Sequence, residues 1–155
     1  MTVKALLPIT VLLADDSEIM REAIKKLLVD EPRIRIVGEA SSFASAMQSI
    51  ADAKPDILLL DLHLPQKREL PAPIVRSQLH CVKYTLAISF ANDEEAKALA
   101  ASYGAAALLD KMSLYTELLP TIMQLVDQLA GPSPDPSLTM EPKTSREGMP
   151  LELSE

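Results

Sequence analysis

The chain has 155 residues, 48% of them apolar and 24% charged, which is enough for one globular core and too little for two. Fifteen Lys and Arg against twenty-two Asp and Glu give a formal charge of -7, which repels phosphate backbones and anionic lipid and argues against direct nucleic-acid binding. Two Phe, three Tyr and no Trp imply an aliphatic core, and the one cysteine, Cys81, excludes an internal disulfide and suits a reducing cytoplasm.

The apolar opening from Val3 to Ala14 is followed by two aspartates and not by a small-x-small cleavage site, so it reads as a strand and not as a signal peptide. No apolar run reaches the roughly 18 to 20 residues of a membrane span. The first strand is expected over about Ile9 to Ala14. A helix follows over Ser17 to Asp30, with Ile19, Ala23, Ile24, Leu27 and Leu28 on one face and Lys25 and Lys26 toward water. A second strand spans about Ile34 to Gly38, and a second helix spans Phe43 to Ala53, started by Ser41 or Ser42.

Ile57 to Leu60 is an unbroken apolar run, the mark of a central strand covered on both faces. Pro65, Pro71 and Pro73 then delay the third helix until about Ile74. The fourth strand covers about Thr85 to Ser89. Its helix opens at Asn92, with Asp93 and Glu94 in the first turn and Glu95 completing a capping box, and stops at Gly104. The fifth strand is about Ala106 to Leu109. The last helix runs from Ser113 to Leu129, burying Leu118, Ile122, Leu125, Val126 and Leu129, with a disturbance expected at Pro120. Residues 131–155 hold five prolines and no sustained periodicity, and are expected to form a flexible acidic tail behind a domain of residues 1–130.

Short strands alternating with amphipathic helices predict an α/β domain with a parallel sheet. Reactive groups of such sheets gather at the carboxyl ends of the strands. Asp15 and Asp16 follow the first strand, Asp61 the third, Ser89 ends the fourth and Lys111 follows the fifth. Two like charges about 4 Å apart repel by roughly 4 kcal/mol at an effective dielectric of 20. Lys111 neutralises one carboxylate, and a hard divalent ion such as Mg2+ fits the remainder. His63 and His80 lack a ligand-like spacing, so zinc is not supported.

The segments VLLADDSEIMREAIKKLL, DILLLDLHLP, LAIS and GAAALLDK, with 45 residues from Asp16 to Asp61, 28 more to Ser89 and 22 more to Lys111, resemble the receiver domain of two-component response regulators over residues 8 to 129. The resemblance implies a flavodoxin-like (βα)5 doubly wound sheet of order 2-1-3-4-5. It implies that Asp61 accepts a phosphoryl group from a histidine kinase or phosphotransfer protein. It further implies a Mg2+ site made by Asp15, Asp16, Asp61 and the backbone carbonyl of His63, with Asp15 acting through water. Lys111 would balance phosphoryl charge and Ser89 would hydrogen-bond the group once formed.

Departures from the family pattern are equally specific. The switch aromatic three residues before the lysine is Leu108. The residue after Ser89 is Phe90, where a small side chain is common. The turn beyond Pro65 lacks its glycine and reads QKRELPAP, and Met112 follows the lysine in place of a frequent proline. With no second domain or basic recognition helix evident, the chain reads as a stand-alone receiver that signals to an unidentified downstream protein, through the face made by helix four, strand five and helix five. It would modify only itself and so would not be an enzyme in the usual sense. Two alternatives remain: a receiver-fold binding module independent of phosphorylation, and a Mg2+-dependent phosphohydrolase. The latter usually needs a second carboxylate two residues past the nucleophile, where this chain has His63.

Overall fold

The computed structural model describes residues 8–64 and 70–130. Pro65, the QKRE segment after it and the proposed tail at 131–155 lie outside the described residues. Five strands, β1 (Ile9–Ala14), β2 (Ile34–Ala40), β3 (Ile57–Asp61), β4 (Tyr84–Ser89) and β5 (Ala107–Asp110), alternate with five helices, α1 (Glu18–Leu28), α2 (Phe43–Ala53), α3 (Ala72–Gln78), α4 (Glu94–Ser102) and α5 (Leu114–Ala130). The strands form one parallel sheet in the order β2-β1-β3-β4-β5, as the resemblance implied.

Strand periodicity divides the core between the two faces of the sheet. Ile57 and Leu59 of β3 turn toward α1 and α5, where Ile24, Leu28, Leu118 and Ile122 are buried with them. Leu58 and Leu60 turn the other way and pack with Phe43, Ala46 and Ile50 of α2, Val75 of α3, and Ala96 and Ala100 of α4. All four β3 aliphatic side chains are fully buried, which is why this strand reads as continuous apolar sequence. Phe43 and Tyr103 are the aromatics in an otherwise aliphatic core.

The β1–β2 pairing carries a register shift: Val11 faces Ile36 but Leu12 faces Gly38, so Val37 is the extra residue of a bulge. A Cβ at Gly38 would stand 3.0 Å from Leu12 Cδ1, a tight contact that a larger residue could make only if the buried Leu12 side chain gave way. At the opposite end of the sheet, Asp56 accepts from the amide and hydroxyl of Thr10, at 2.9 and 3.1 Å, and its own amide donates to Thr10 Oγ1 at 2.9 Å. These bonds lace β1 to the start of β3.

Several sequence expectations are corrected by the packing. Ile19 is 83% exposed and Ala23 is also exposed; the buried stripe of α1 is Ile24 and Leu28, flanked by the half-buried Met20 and Leu27. Helix α3 begins at Ala72, earlier than Ile74, because Pro71 is its N-cap and Pro73 sits in the first turn, where no amide donor is needed. Helix α4 is capped by Asp93, whose side chain accepts from the Ala96 amide at 2.9 Å, and not by Asn92, and Glu95 completes no capping box. Of the two candidate serines, Ser42 caps α2, in a reciprocal box with Ser45. Helix α4 ends where expected, with Gly104 at φ +80°. Helix α5 runs through Pro120 as one element. Among the described residues, no helix is long and apolar enough to cross a membrane.

Candidate functional site: an acidic pocket at the carboxyl edge of the sheet

A parallel sheet aligns the carboxyl ends of its strands, so the residues that end β1, β3, β4 and β5 arrive at one edge. Asp15 directly follows β1, and its amide donates to the Ala40 carbonyl of β2 at 3.0 Å. Asp61 is the last residue of β3 itself, one position further into the strand than the sequence placed it, and pairs in register with Ile88 of β4. Ser89 ends β4 opposite Asp110. Lys111 follows β5 at the start of a short 3-10 turn.

Carboxylate oxygens of Asp15, Asp16 and Asp61 lie within 4.8 Å of one another. Asp15 and Asp61 are buried, at 0% and 2% exposure, while Asp16 is exposed. The Lys111 ammonium, its side chain 6% exposed, stands 2.7 Å from Asp15 Oδ2 and 3.4 Å from Asp61 Oδ2. The other oxygen of each buried carboxylate is held by backbone: Asp15 Oδ1 accepts from the Ser17 amide at 2.8 Å, and Asp61 Oδ1 from the His63 amide at 2.9 Å. Three carboxylates against one ammonium leave an excess of negative charge. All the donors offered are hard oxygens, so the pocket fits a small divalent cation such as Mg2+.

Ser89 is fully buried, and its Oγ accepts from the Ala91 amide at 2.9 Å. Among the described residues, none accepts from its hydroxyl. The Phe90 ring is 61% exposed, with the Lys111 ammonium 5.1 Å from its centroid, inside cation–π range. Leu108 is half-buried against the α2, α3 and α4 side of the core, so no aromatic ring occupies that position. The side chain of His63 is exposed.

One residue of the site carried no sequence signal. Arg21 of α1 donates through Nη1 to the Asp15 carbonyl at 2.6 Å and through Nε to Glu39 Oε1 at 2.8 Å. Lys25 completes the cluster, 2.7 Å from both Glu39 and Glu22. The hydrogen bonds from Lys25 and Arg21 hold the Glu39 carboxyl below its ordinary range, and those to Glu22 and Glu39 raise the Lys25 ammonium. A basic residue on a surface helix reads as a solvated face; only a partner at the end of β2, distant in sequence, reveals it.

A response regulator receiver domain model matches residues 11–123. Among curated relatives, the chain is 34% identical over 89 residues to protein-glutamate methylesterase/protein-glutamine glutaminase 1 of Methanospirillum hungatei, covering 57% of this chain and 26% of that protein. It is 42% identical over 57 residues to the DNA-binding transcriptional activator DevR/DosR of Mycobacterium tuberculosis, covering 37% and 26%. The chain thus spans about a quarter of the length of these relatives. Among solved structures, the signal receiver domain of the putative response regulator NarL from Mycobacterium tuberculosis superposes with a TM-score of 0.68 at 26% identity, over 78% of this chain and 98% of that one. The response regulator domain of Thermotoga maritima CheB, 21% identical with a TM-score of 0.63 over 82% and 99% of the two chains, shares the fold.

Proposed function

The chain belongs to the response regulator receiver family of two-component signal transduction, and from that premise we propose that Asp61 accepts a phosphoryl group from a histidine kinase or phosphotransfer protein. The observation that carries this reading is the buried Asp61 carboxylate at a strand end, with Lys111 3.4 Å away and two further carboxylates within 4.8 Å. An Asp61 carboxylate oxygen forms the new P–O bond as the P–N bond of the donor phosphohistidine breaks. The imidazole leaves with the electron pair and takes a proton.

Asp15, Asp16, Asp61 and the His63 carbonyl would hold Mg2+, which supplies positive charge for the phosphoryl oxygens. Lys111 is tethered between Asp15 and Asp61 and balances developing charge on the same side of the pocket. The His63 amide restrains Asp61 through Oδ1, which lowers the cost of orienting the nucleophile. Ser89 has its Oγ lone pair occupied by the Ala91 amide and offers its proton to the phosphoryl group. The chain would modify itself once per event and pass the signal to a downstream protein by way of a surface that includes α4, β5 and α5. The switch would involve Ser89 and Phe90, since Leu108 has no ring to rotate.

A second reading, a phosphorylation-independent binding module, is favoured by the Phe90 ring lying beside Lys111 at the pocket mouth. Intact-protein mass spectrometry after incubation with Mg2+ and acetyl phosphate separates the two. The first reading expects one metal-dependent phosphoryl adduct, absent from Asp61→Asn. No adduct with that donor or with a cognate kinase would sink it and leave the binding module.

A further inference from the structure

We propose that Arg21 is a positioning residue for the acidic pocket: its grip on the Asp15 carbonyl fixes the peptide unit that aims Asp15 and Asp16 at a divalent cation. The inference rests on the reading of the carboxylate cluster as a cation site.

The Asp15 and Asp16 side chains are restrained very differently. The Asp15 side chain is held at Oδ1 by the Ser17 amide and at Oδ2 by Lys111. Asp16 is exposed, and among the described residues no donor reaches its carboxylate. The direction in which Asp16 offers its oxygen therefore depends on its backbone, above all on the Asp15–Asp16 peptide plane. The oxygen of that peptide accepts from Arg21 Nη1 at 2.6 Å, while the amide on the other side of Asp15 is tied to the Ala40 carbonyl. Released from Arg21, the turn would keep only the bond from the Ser17 amide to Asp15 Oδ1, and the plane could tilt and carry Asp16 away from the cluster.

Arg21 is itself immobilised. Its side chain is 15% exposed, and its Nε is paired with Glu39, whose second oxygen is held by Lys25. Glu39 precedes Ala40 at the end of β2, so one guanidinium joins α1, the end of the edge strand and the β1–α1 turn. A planar fork can serve a carbonyl and a carboxylate at once, which an ammonium on a flexible stem does poorly. Groups that orient metal ligands without touching the metal commonly set its affinity, and losing one typically costs 10- to 100-fold.

The sign of the effect makes the proposal testable. By charge alone, removing a cation beside three carboxylates strengthens binding of a divalent ion; loss of positioning weakens it. Mn2+ uptake by the full chain, read from the free-ion electron paramagnetic resonance signal without any phosphodonor, is compared for wild type, Arg21→Ala and Arg21→Lys, with circular dichroism to confirm folding. We expect Arg21→Ala to bind Mn2+ about tenfold more weakly, with only partial recovery in Arg21→Lys. Equal or tighter binding in Arg21→Ala overturns the proposal while leaving the cation site intact. If Arg21→Ala does not fold, wild-type affinity in Arg21→Lys overturns it instead, and weaker binding supports it. No uptake by the wild type overturns both the proposal and the cation-site reading.

Discussion

At the scale of single residues, the pocket sets stability against function. Three carboxylates within 4.8 Å share one ammonium, a repulsive arrangement that a cation relieves. Asp16 is the exposed member, so its share of the repulsion is screened to about 1 kcal/mol. Asp16→Asn is expected to make the metal-free protein more stable by about that amount in denaturant titrations. Mg2+ at a hundred times its Kd should stabilise the wild type by about 2.7 kcal/mol, and the variant far less. An Asp16→Asn protein that is less stable without metal, or that gains as much from Mg2+ as the wild type, would contradict this account. The positions of Asp15, Asp16, Asp61, Ser89 and Lys111 at the carboxyl edge are readable from the chain, because each ends a strand or stands within two residues of its end. The role of Arg21 is not, since it consists of a 2.6 Å contact with a backbone carbonyl, and backbone carbonyls leave no mark in a sequence.

At the scale of elements, the errors fall where two neighbouring residues could each play one part. Asn92 and Asp93 are both good helix caps. Asp93 takes the position because its carboxylate meets the Ala96 amide and buries Ala96 toward the sheet. Asp93→Ala is therefore expected to cost about 1 kcal/mol, and Asn92→Ala close to nothing, in thermal or chemical unfolding. The reverse order would restore Asn92 as the cap. In α1 the buried stripe is narrower than the apolar pattern: Ile19 and Ala23 stand eight and four residues before Leu27 on one flank of the helix, yet both face solvent. Periodicity gives a helix face its width, and the neighbouring element decides its centre.

At the scale of the molecule, the Arg21, Lys25 and Glu39 cluster ties α1 to β2 across the edge of the sheet. Glu39 has its carboxyl lowered by Lys25 and Arg21, so its contribution is full above the ordinary carboxylate range and fades as pH falls through the lowered value. The ammonium of Lys25 is raised by Glu22 and Glu39, so its part persists below the ordinary lysine value and is lost as pH rises beyond it. Glu39→Gln is thus expected to melt below the wild type at neutral pH, with the gap closing as pH falls through the lowered Glu39 value and narrowing in high salt. A gap that is unchanged in acid would remove the ion pairs as its cause.

The sequence by itself determined the number and order of elements, the two-faced burial of β3 and the placement of Asp15, Asp16, Asp61, Ser89 and Lys111 at the carboxyl edge of the sheet, because hydropathy period and strand ends are local properties of the chain. Only the tertiary structure decided which serine caps α2, where α1 turns its stripe, that Phe90 lies beside Lys111, and that Arg21 holds the turn carrying Asp15 and Asp16. Each of these is a contact between segments distant in sequence or a choice between adjacent equivalents, and its energy exists only once the sheet has brought the partners within a few ångströms.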